Sequence, residues 1–424
     1  MTTDLNNVSP GLLKSWEFTL MRTAALLSLT KAQYETIESR YGTLQTILNA
    51  ANEKALEGAH IFPQGSIMLK TTIRPVANAP GEMGTVDADA IVLIDSTVSI
   101  EPAELLETLQ RRFEEGARVD APIEPLRRGV RVTYADENPG FHMDVTPAVG
   151  RPNLSNETGY GNLYVPDRET GWKNSSPRSY AEWLERACNE EVNIIREDEM
   201  IKAMAMDSLS MESTQDPIPE YHQYLEHNPL RATIKLLKRH RDVWAIRNDE
   251  VKVRPISAVI TTLAAHSYRR IALLSKQRPY RAIEAILEIV NGMHDHINVN
   301  AKGEYEVLNP MDSGENFAEK WNRPREGGAY VQAFSRWHNQ VIQDLRIGLR
   351  DHGSQANFLD SFHNAFRIQK SEIDGIITEL PRTAPLPGRN GLITGASLAL
   401  SAFTGSSSAA STSQGNIKPV DRLG

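Results

Sequence analysis

Along the first half of the chain the apolar positions switch between two periods. Tyr34, Ile37, Tyr41, Leu44, Ile47 and Leu48 recur at helical spacing behind Thr30 and Gln33, which make a capping box. The pattern predicts an amphipathic helix from Thr30 to about Ala51. Val86 to Ile94 is short, β-branched and nearly continuous, which predicts a strand covered on both faces. Leu105, Leu109 and Phe113 mark one side of a helix from Glu101 to about Glu115. "GVRVTYA" and "GFHMDVTPAV" then alternate on either side of "DENPG", whose Asn, Pro and Gly supply turn geometry, so they read as a hairpin.

The pattern changes after Pro152. The stretch to Ser179 is rich in Gly, Pro, Asn and Ser and predicts loops at the edge of a first lobe. Helical spacing dominates from Tyr180, with predicted helices over Tyr180–Met206, Pro229–Ile246, Ser257–Leu274, Arg281–Met293 and Ala329–Arg350. After about Pro381 the chain is Ser, Ala, Gly and Thr rich with few large apolar residues, which predicts a mobile tail. The expected organisation is α/β: a mixed-sheet lobe with N-terminal helices over residues 1–175, a mainly helical lobe over 176–380, and the tail over 381–424.

Composition narrows the classes. At 424 residues and 40% hydrophobic content the chain is long enough for two lobes. A formal charge of -8 gives no overall basic field, so extensive nucleic-acid binding is not expected. Cys188 is the only cysteine, which excludes an internal disulfide and a multi-cysteine zinc site and fits a reducing cytosol. No apolar run approaches the roughly 20 residues that span a bilayer, and the start lacks the basic region of a secretory signal, so a cytoplasmic protein is expected.

The chemistry concentrates in "FPQGSIMLKTTIRPVANAPGEMGTVDADAIVLI", Phe62 to Ile94. Asp87 and Asp89 are two residues apart on a strand and leave the same face, where they repel each other unless a cation sits between them. An edge strand facing water is the bland alternative. Asp144 interrupts a later apolar strand in the same way, and three convergent carboxylates suit divalent magnesium, which takes oxygen ligands and substrate phosphates. Gly65 and Ser66 offer bare backbone and a hydroxyl to a phosphate; alone they would be an ordinary turn.

Gly65-Ser66, Asp87-Ala88-Asp89 and Asp144, in that order, resemble the nucleotidyltransferase fold shared with DNA polymerase beta. In more detail the chain is similar to the cGAS/DncV-like nucleotidyltransferases, bacterial enzymes that make cyclic di- and trinucleotide signals in anti-phage (CBASS) defence. "FPQGSIMLKTTIRP", "FHMDVTPA", "RATIKLLKRHRDVWAI", "RPISAVITTLAAHSY" and "MDSGENFAEKW" carry the likeness across roughly Thr30 to Ile377. The spacer between Ser66 and Asp87 is longer than the compact form of the motif.

That resemblance implies roles. Asp87 and Asp89 would bind two Mg²⁺ ions, with Mn²⁺ as a substitute, and Asp144 would complete the site and draw the proton from an attacking ribose hydroxyl. Gln64, Gly65 and Ser66 would meet the nucleotide, and Lys238 and Ser257 the triphosphate of ATP, with other nucleoside triphosphates as further substrates. By spacing alone, Arg231, Lys235 and Lys238 share one helical face that could equally be solvated, and Ser257 is an N-cap by composition. His142 could line a cleft but suits a structural place, His266 suits packing, and Trp172 suits either a base or a loop. The resemblance also implies an activating partner protein and, in some operons, an E1/E2-like ligase acting on a C-terminus such as Gly424. Two other readings stay open at this point: an RNA-tailing transferase, and a nucleotide-binding module without turnover.

Overall fold

A serine followed by a proline begins the first helix. Ser9 Oγ accepts the Leu12 amide, and Pro10 fills a first-turn position whose N–H has no intrahelical partner to lose. The computed structural model describes residues 5, 7–79, 81–95, 99–116, 122–134, 139–151, 162–193 and 228–389. In chain order, α1 is Pro10–Leu26 and α2 is Lys31–Asn49; β1 (His60–Gln64) runs into the one-turn α3 (Gly65–Met68), then β2 (Val86–Ile94) and α4 (Pro102–Gly116). Next come β3 (Ile123–Pro125), β4 (Val130–Tyr134), β5 (Phe141–Gly150), β6 (Leu163–Asp167), β7 (Gly171–Ser175) and α5 (Pro177–Cys188). The remainder is mostly helical: α6 (Pro229–Arg247), α7 (Ser257–Ser275) and α8 (Ala282–Asn291), then α9 (Gly327–Asp344), α10 (Gln355–Phe366) and α11 (Lys370–Thr378). Two short pairs interrupt it, β8 (Asn298–Val299) with β9 (Tyr305–Glu306) and β10 (Leu308–Asn309) with β11 (Asp312–Asn316).

The large sheet has the order β1-β2-β5-β4-β3, and β6 joins the end of β5 and carries β7. Only β2 and β5 run parallel; the other pairs are antiparallel, so the sheet is mixed, as expected. Alternation along β2 sorts its side chains. Ala88, Ala90 and Val92 pack with Ile37, Leu44 and Leu48 of α2 and Leu105, Leu109 and Phe113 of α4. On the other face Ile91 packs with Phe62, Ala148, Leu163 and Val165, while Asp87 and Asp89 face a cleft. The capping box of Thr30 and Gln33 starts α2 as predicted.

The second core is helical, and α6 is its axis. Leu230, Ile234, Leu236 and Leu237 are buried together with Trp16 and Leu20 of α1, Ile260 and Leu263 of α7, Ile286 of α8 and Trp337 of α9. α6 is buried nearly all round although it carries several cations. Its cations are therefore paired rather than solvated: Arg231 reaches Glu185 at 2.5 Å, Lys235 reaches Ser28 Oγ at 2.9 Å and Lys238 reaches the Thr71 carbonyl at 3.0 Å.

Three expectations change. α1 packs in the helical core although it lies within residues 1–175, because Trp16 needs the pocket made by Phe358 and Phe362. Residues 163–175 form the β6–β7 hairpin rather than loops; an edge position tolerates Pro166, which hid the alternation. Residues 381–389 are also packed, with Ala384 and Leu386 against the helical core and the Gly388 amide donating to Gly348 O at 2.8 Å, so a tail would start later than Pro381. The predicted extension of α5 to Met206 and the segment 390–424, Gly424 included, lie outside the described residues. Among the described residues no helix is long and apolar enough to cross a membrane.

Trp16 is fully buried, donates Nε1–H to Leu345 O at 2.8 Å and meets two phenylalanines edge-on. Trp16→Ala should therefore lower unfolding free energy by about 3–5 kcal/mol in urea titrations. A loss under about 1 kcal/mol would mean that α1 is not held by this packing.

Candidate active site

Register places the acidic residues. β2 lies between β1 and β5, and Gln64, Asp89 and Asp144 are Cα partners in one row across the three strands, with Arg131 of β4 completing it. Asp87 pairs with His142 in the next row on the same face, about 6.6 Å along the strands. Ligand atoms of Asp87, His142 and Asp144 all lie within 4.8 Å of one another. Asp89 belongs to the same block and leans on the turn that follows β1. A Cβ built on Gly65 would stand 2.1 Å from Asp89 Oδ2, and Gly65 has φ +59°, so only glycine lets that carboxylate approach.

Each carboxylate has a different set of neighbours. Asp87 keeps 57% of its side-chain surface open to the cleft, although it lies deep among protein atoms. Burial would raise its pKa, but the hydrogen bond and charge of His142, 3.1 Å away, with attraction from Lys238 and Arg131, hold it below the usual value. His142 is held in turn by Thr85 Oγ1 at 2.9 Å from its Nδ1. Burial raises Asp89 well above the ordinary carboxylate range, and repulsion from Asp87 and Asp144 adds to it against the pull of Lys238 and Arg131. Asp144 is also raised, by burial first and by Asp87, with a two-pronged bond from Arg131 opposing: Nε to Oδ1 at 2.6 Å and Nη2 to Oδ2 at 2.7 Å.

Asp87 and Asp89 floor an open cleft of about 350 Å³ between the lobes, and Asp144 lies beside Asp89 on the neighbouring strand. Gln64, Gly65, Ser66, Lys238 and Ser257 all line the cleft. Ser66 Oγ accepts from Thr72 Oγ1 at 3.2 Å. Lys238 is buried, and desolvation with repulsion from Arg241 brings its pKa down to about 8 despite the pull of Asp242, Asp87 and Asp89. Ser257 is the first residue of α7 rather than its cap, which is Ile256, and its Oγ accepts from Arg241 Nη1 at 3.1 Å. The far end of the cleft is walled by Tyr180 and Phe317, edge-on at 5.3 Å, with Asn309 and Glu315 beside them. Aromatic walls with a few polar groups suit a nucleobase.

Residues 17–189 match the family described as Second Messenger Oligonucleotide or Dinucleotide Synthetase domain. A c-di-GMP synthase of Roseivirga ehrenbergii is 24% identical over 337 residues, 78% of this chain and 79% of that protein. Among solved structures, Bradyrhizobium diazoefficiens CdnG in complex with GTP superposes with a TM-score of 0.61 at 18% identity, covering 86% of this chain and 98% of that one. Escherichia coli MS115-1 CdnC with ATP gives 0.51 at 13% identity, covering 82% and 96%. Residues 17–189 thus carry a Second Messenger Oligonucleotide or Dinucleotide Synthetase domain.

Enzymes of that family depend on metal ions, and the donor set of this nucleotidyltransferase fits. Three carboxylates crowd one face of the sheet, and burial with mutual repulsion disfavours their joint ionisation unless a cation joins them. Oxygen donors suit magnesium or manganese; His142 already grips Asp87 and serves as its positioner. Sequence reasoning left His142 as structural and passed over Arg131, Glu82, Asn309 and Glu315. Only the β4–β5 register could have exposed Arg131, which is the cross-strand partner of Asp144. His266 packs between Trp183 and His296, and Trp172 packs against the sheet core outside the cleft.

A carboxylate whose pKa is higher folded than unfolded binds protons more tightly in the folded state. Stability therefore falls as pH rises from the ordinary value near 3.8 to the raised one. Asp89→Asn should raise the thermal midpoint of metal-free protein at neutral pH and reduce its gain on mild acidification. An unchanged or lower midpoint would contradict the repulsion. Gly65→Ala should cost about 100-fold in nucleotidyl transfer by displacing Asp89, measured as initial rate at saturating substrate. A rate within threefold of wild type would show that the contact is dispensable.

Proposed function

We propose that the chain condenses nucleoside triphosphates, ATP and others, into a cyclic di- or trinucleotide that serves as a second messenger in anti-phage defence. The observation that carries this reading is the cleft joining Asp87 and Asp89, with Asp144 paired beside Asp89, to Gly65-Ser66, Lys238 and an aromatic wall.

Asp87, Asp89 and Asp144 would hold the divalent ions, which supply charge neutralisation and activation of the attacking hydroxyl when bound. The chain's own groups do the rest by positioning. Lys238 sets a cation, still mostly protonated at neutral pH, behind the phosphates. Ser66 and the Gly65 backbone hold the phosphates from the sheet side. Asp144, made more basic by burial, accepts the ribose hydroxyl proton as oxygen attacks the α-phosphorus. The new P–O bond forms, the bond to the β-phosphate's bridging oxygen breaks, and pyrophosphate leaves. A second round between the ends of the linear product closes the ring.

Labelled ATP, GTP, CTP and UTP incubated with the protein and Mg²⁺ should yield a phosphatase-resistant product. Asp87→Ala and Asp89→Ala should each reduce it at least 100-fold. Mass spectrometry identifies the ring. Products that are linear only, or transfer confined to added RNA, would reject this reading.

A further inference from the structure

Four cationic side chains line the cleft: Arg74, Lys238, Arg241 and Arg254. Three are bound by groups that belong to the fold. Arg74 reaches Glu372 at 2.9 Å, Lys238 reaches the Thr71 carbonyl at 3.0 Å, and Arg241 reaches Asp242 at 2.7 Å and Pro255 O at 3.0 Å. Arg254 differs. Its Nη2 is 3.2 Å from Glu82 Oε2, and Glu82, 51% exposed, sits on the short turn Gly81–Gly84 within the long spacer ahead of β2. The other Glu82 oxygen takes Arg131 Nη1 at 2.6 Å. One carboxylate thus spans the cleft mouth from the sheet lobe to the residue just ahead of α7.

We propose that Arg254 is a phosphate-binding residue of the substrate site and that Glu82 is its displaceable counter-ion, exchanged for a phosphate of the incoming nucleoside triphosphate. The proposal rests on the reading that the cleft takes such a substrate. Carboxylate and phosphate oxygens accept from the same guanidinium fork, so one can replace the other without moving Arg254 far. Glu82 is half-exposed and Arg254 keeps a quarter of its surface open, so the pair is partly screened and separating it costs little. Glu82 keeps Arg131 through its second oxygen and is not left alone when Arg254 leaves. A carboxylate unpaired at this mouth would repel a polyanion; paired, it preorganises Arg254 over the cleft. The length of the Ser66–Asp87 spacer then has a use, since it carries Glu82 across to Arg254.

Equilibrium titration of the full chain in Mg²⁺, with α,β-methylene analogues of ATP and GTP and with the monophosphates, tests the exchange. Arg254→Gln should weaken analogue binding about tenfold or more while changing monophosphate binding less than twofold. Glu82→Gln should tighten analogue binding by about threefold or more, and that gain should vanish when Arg254→Gln is also present. Arg254→Lys should restore part of the loss. Unchanged or weaker binding by Glu82→Gln, or the same gain with Arg254 absent, overturns the exchange while leaving the synthase reading intact. Wild-type protein that binds none of these nucleotides sinks both. Thermal midpoints within 2 °C of wild type for each variant exclude misfolding as the cause, and Glu82→Gln, on an exposed turn, keeps the test decisive if Arg254→Gln folds poorly.

Discussion

The nine residues of β2 are hydrogen-bonded to β1 on one side and β5 on the other, and this double pairing leaves Asp89 no way to move off Asp144 or the Gly65 turn. Backbone ladders are far stiffer than side-chain rotamers, so repulsion between the carboxylates cannot be relieved by separation. It is relieved by partners instead: the His142 ring 3.1 Å from Asp87, Arg131 on Asp144, and Lys238 from across the cleft. Asp89 has the least local compensation and takes the largest upward shift. A rigid strand that concentrates negative charge where cations and phosphates meet suits a reaction that is mostly electrostatic positioning.

The helical lobe meets that strand with a mirror-image arrangement. α6 is buried nearly all round and still carries Arg231, Lys235, Lys238, Arg239 and Arg241. Buried cations persist only with partners, and here many of those partners come from the sheet lobe and its connections: the carbonyls of Thr71, Arg74 and Pro75 accept from Lys238 and Arg239. Arg128 to Glu319 at 2.8 Å and Arg151 to Asp312 at 2.5 Å tie the same lobes at the base end. The cleft is thus walled by two elements of opposite charge whose relative position is set by many hydrogen bonds. Lys238 works in a dry setting as a result, with its pKa already brought down to about 8.

Much of the fold and part of the site were legible in the residues. Period and capping found α2, β2, α4, the β4–β5 hairpin and most helices from α6 to α9, because each is a local pattern with one dominant face. Parity alone put Asp87 and Asp89 on one face. The ordered motifs pointed to the nucleotidyltransferase class and to Gln64, Gly65, Ser66, Lys238 and Ser257, all of which line the same cleft. Weak local signals were missed: α1 sits at the start of the chain behind a lone Ser-Pro, and β6–β7 is broken by Pro166 and rich in polar residues.

Local pattern in the sequence therefore determined the elements and the acidic face, which depend on neighbours within a few residues, while the chemical class came from the resemblance that the ordered motifs carry. Tertiary structure decided which distant residues answer those charges. That Arg131 grips Asp144, that His142 positions Asp87, that Glu82 reaches Arg254, and that a basic helix is an interior axis rather than a solvated face are consequences of strand register and lobe packing. Contacts of that kind join positions up to hundreds of residues apart, and no periodicity records them.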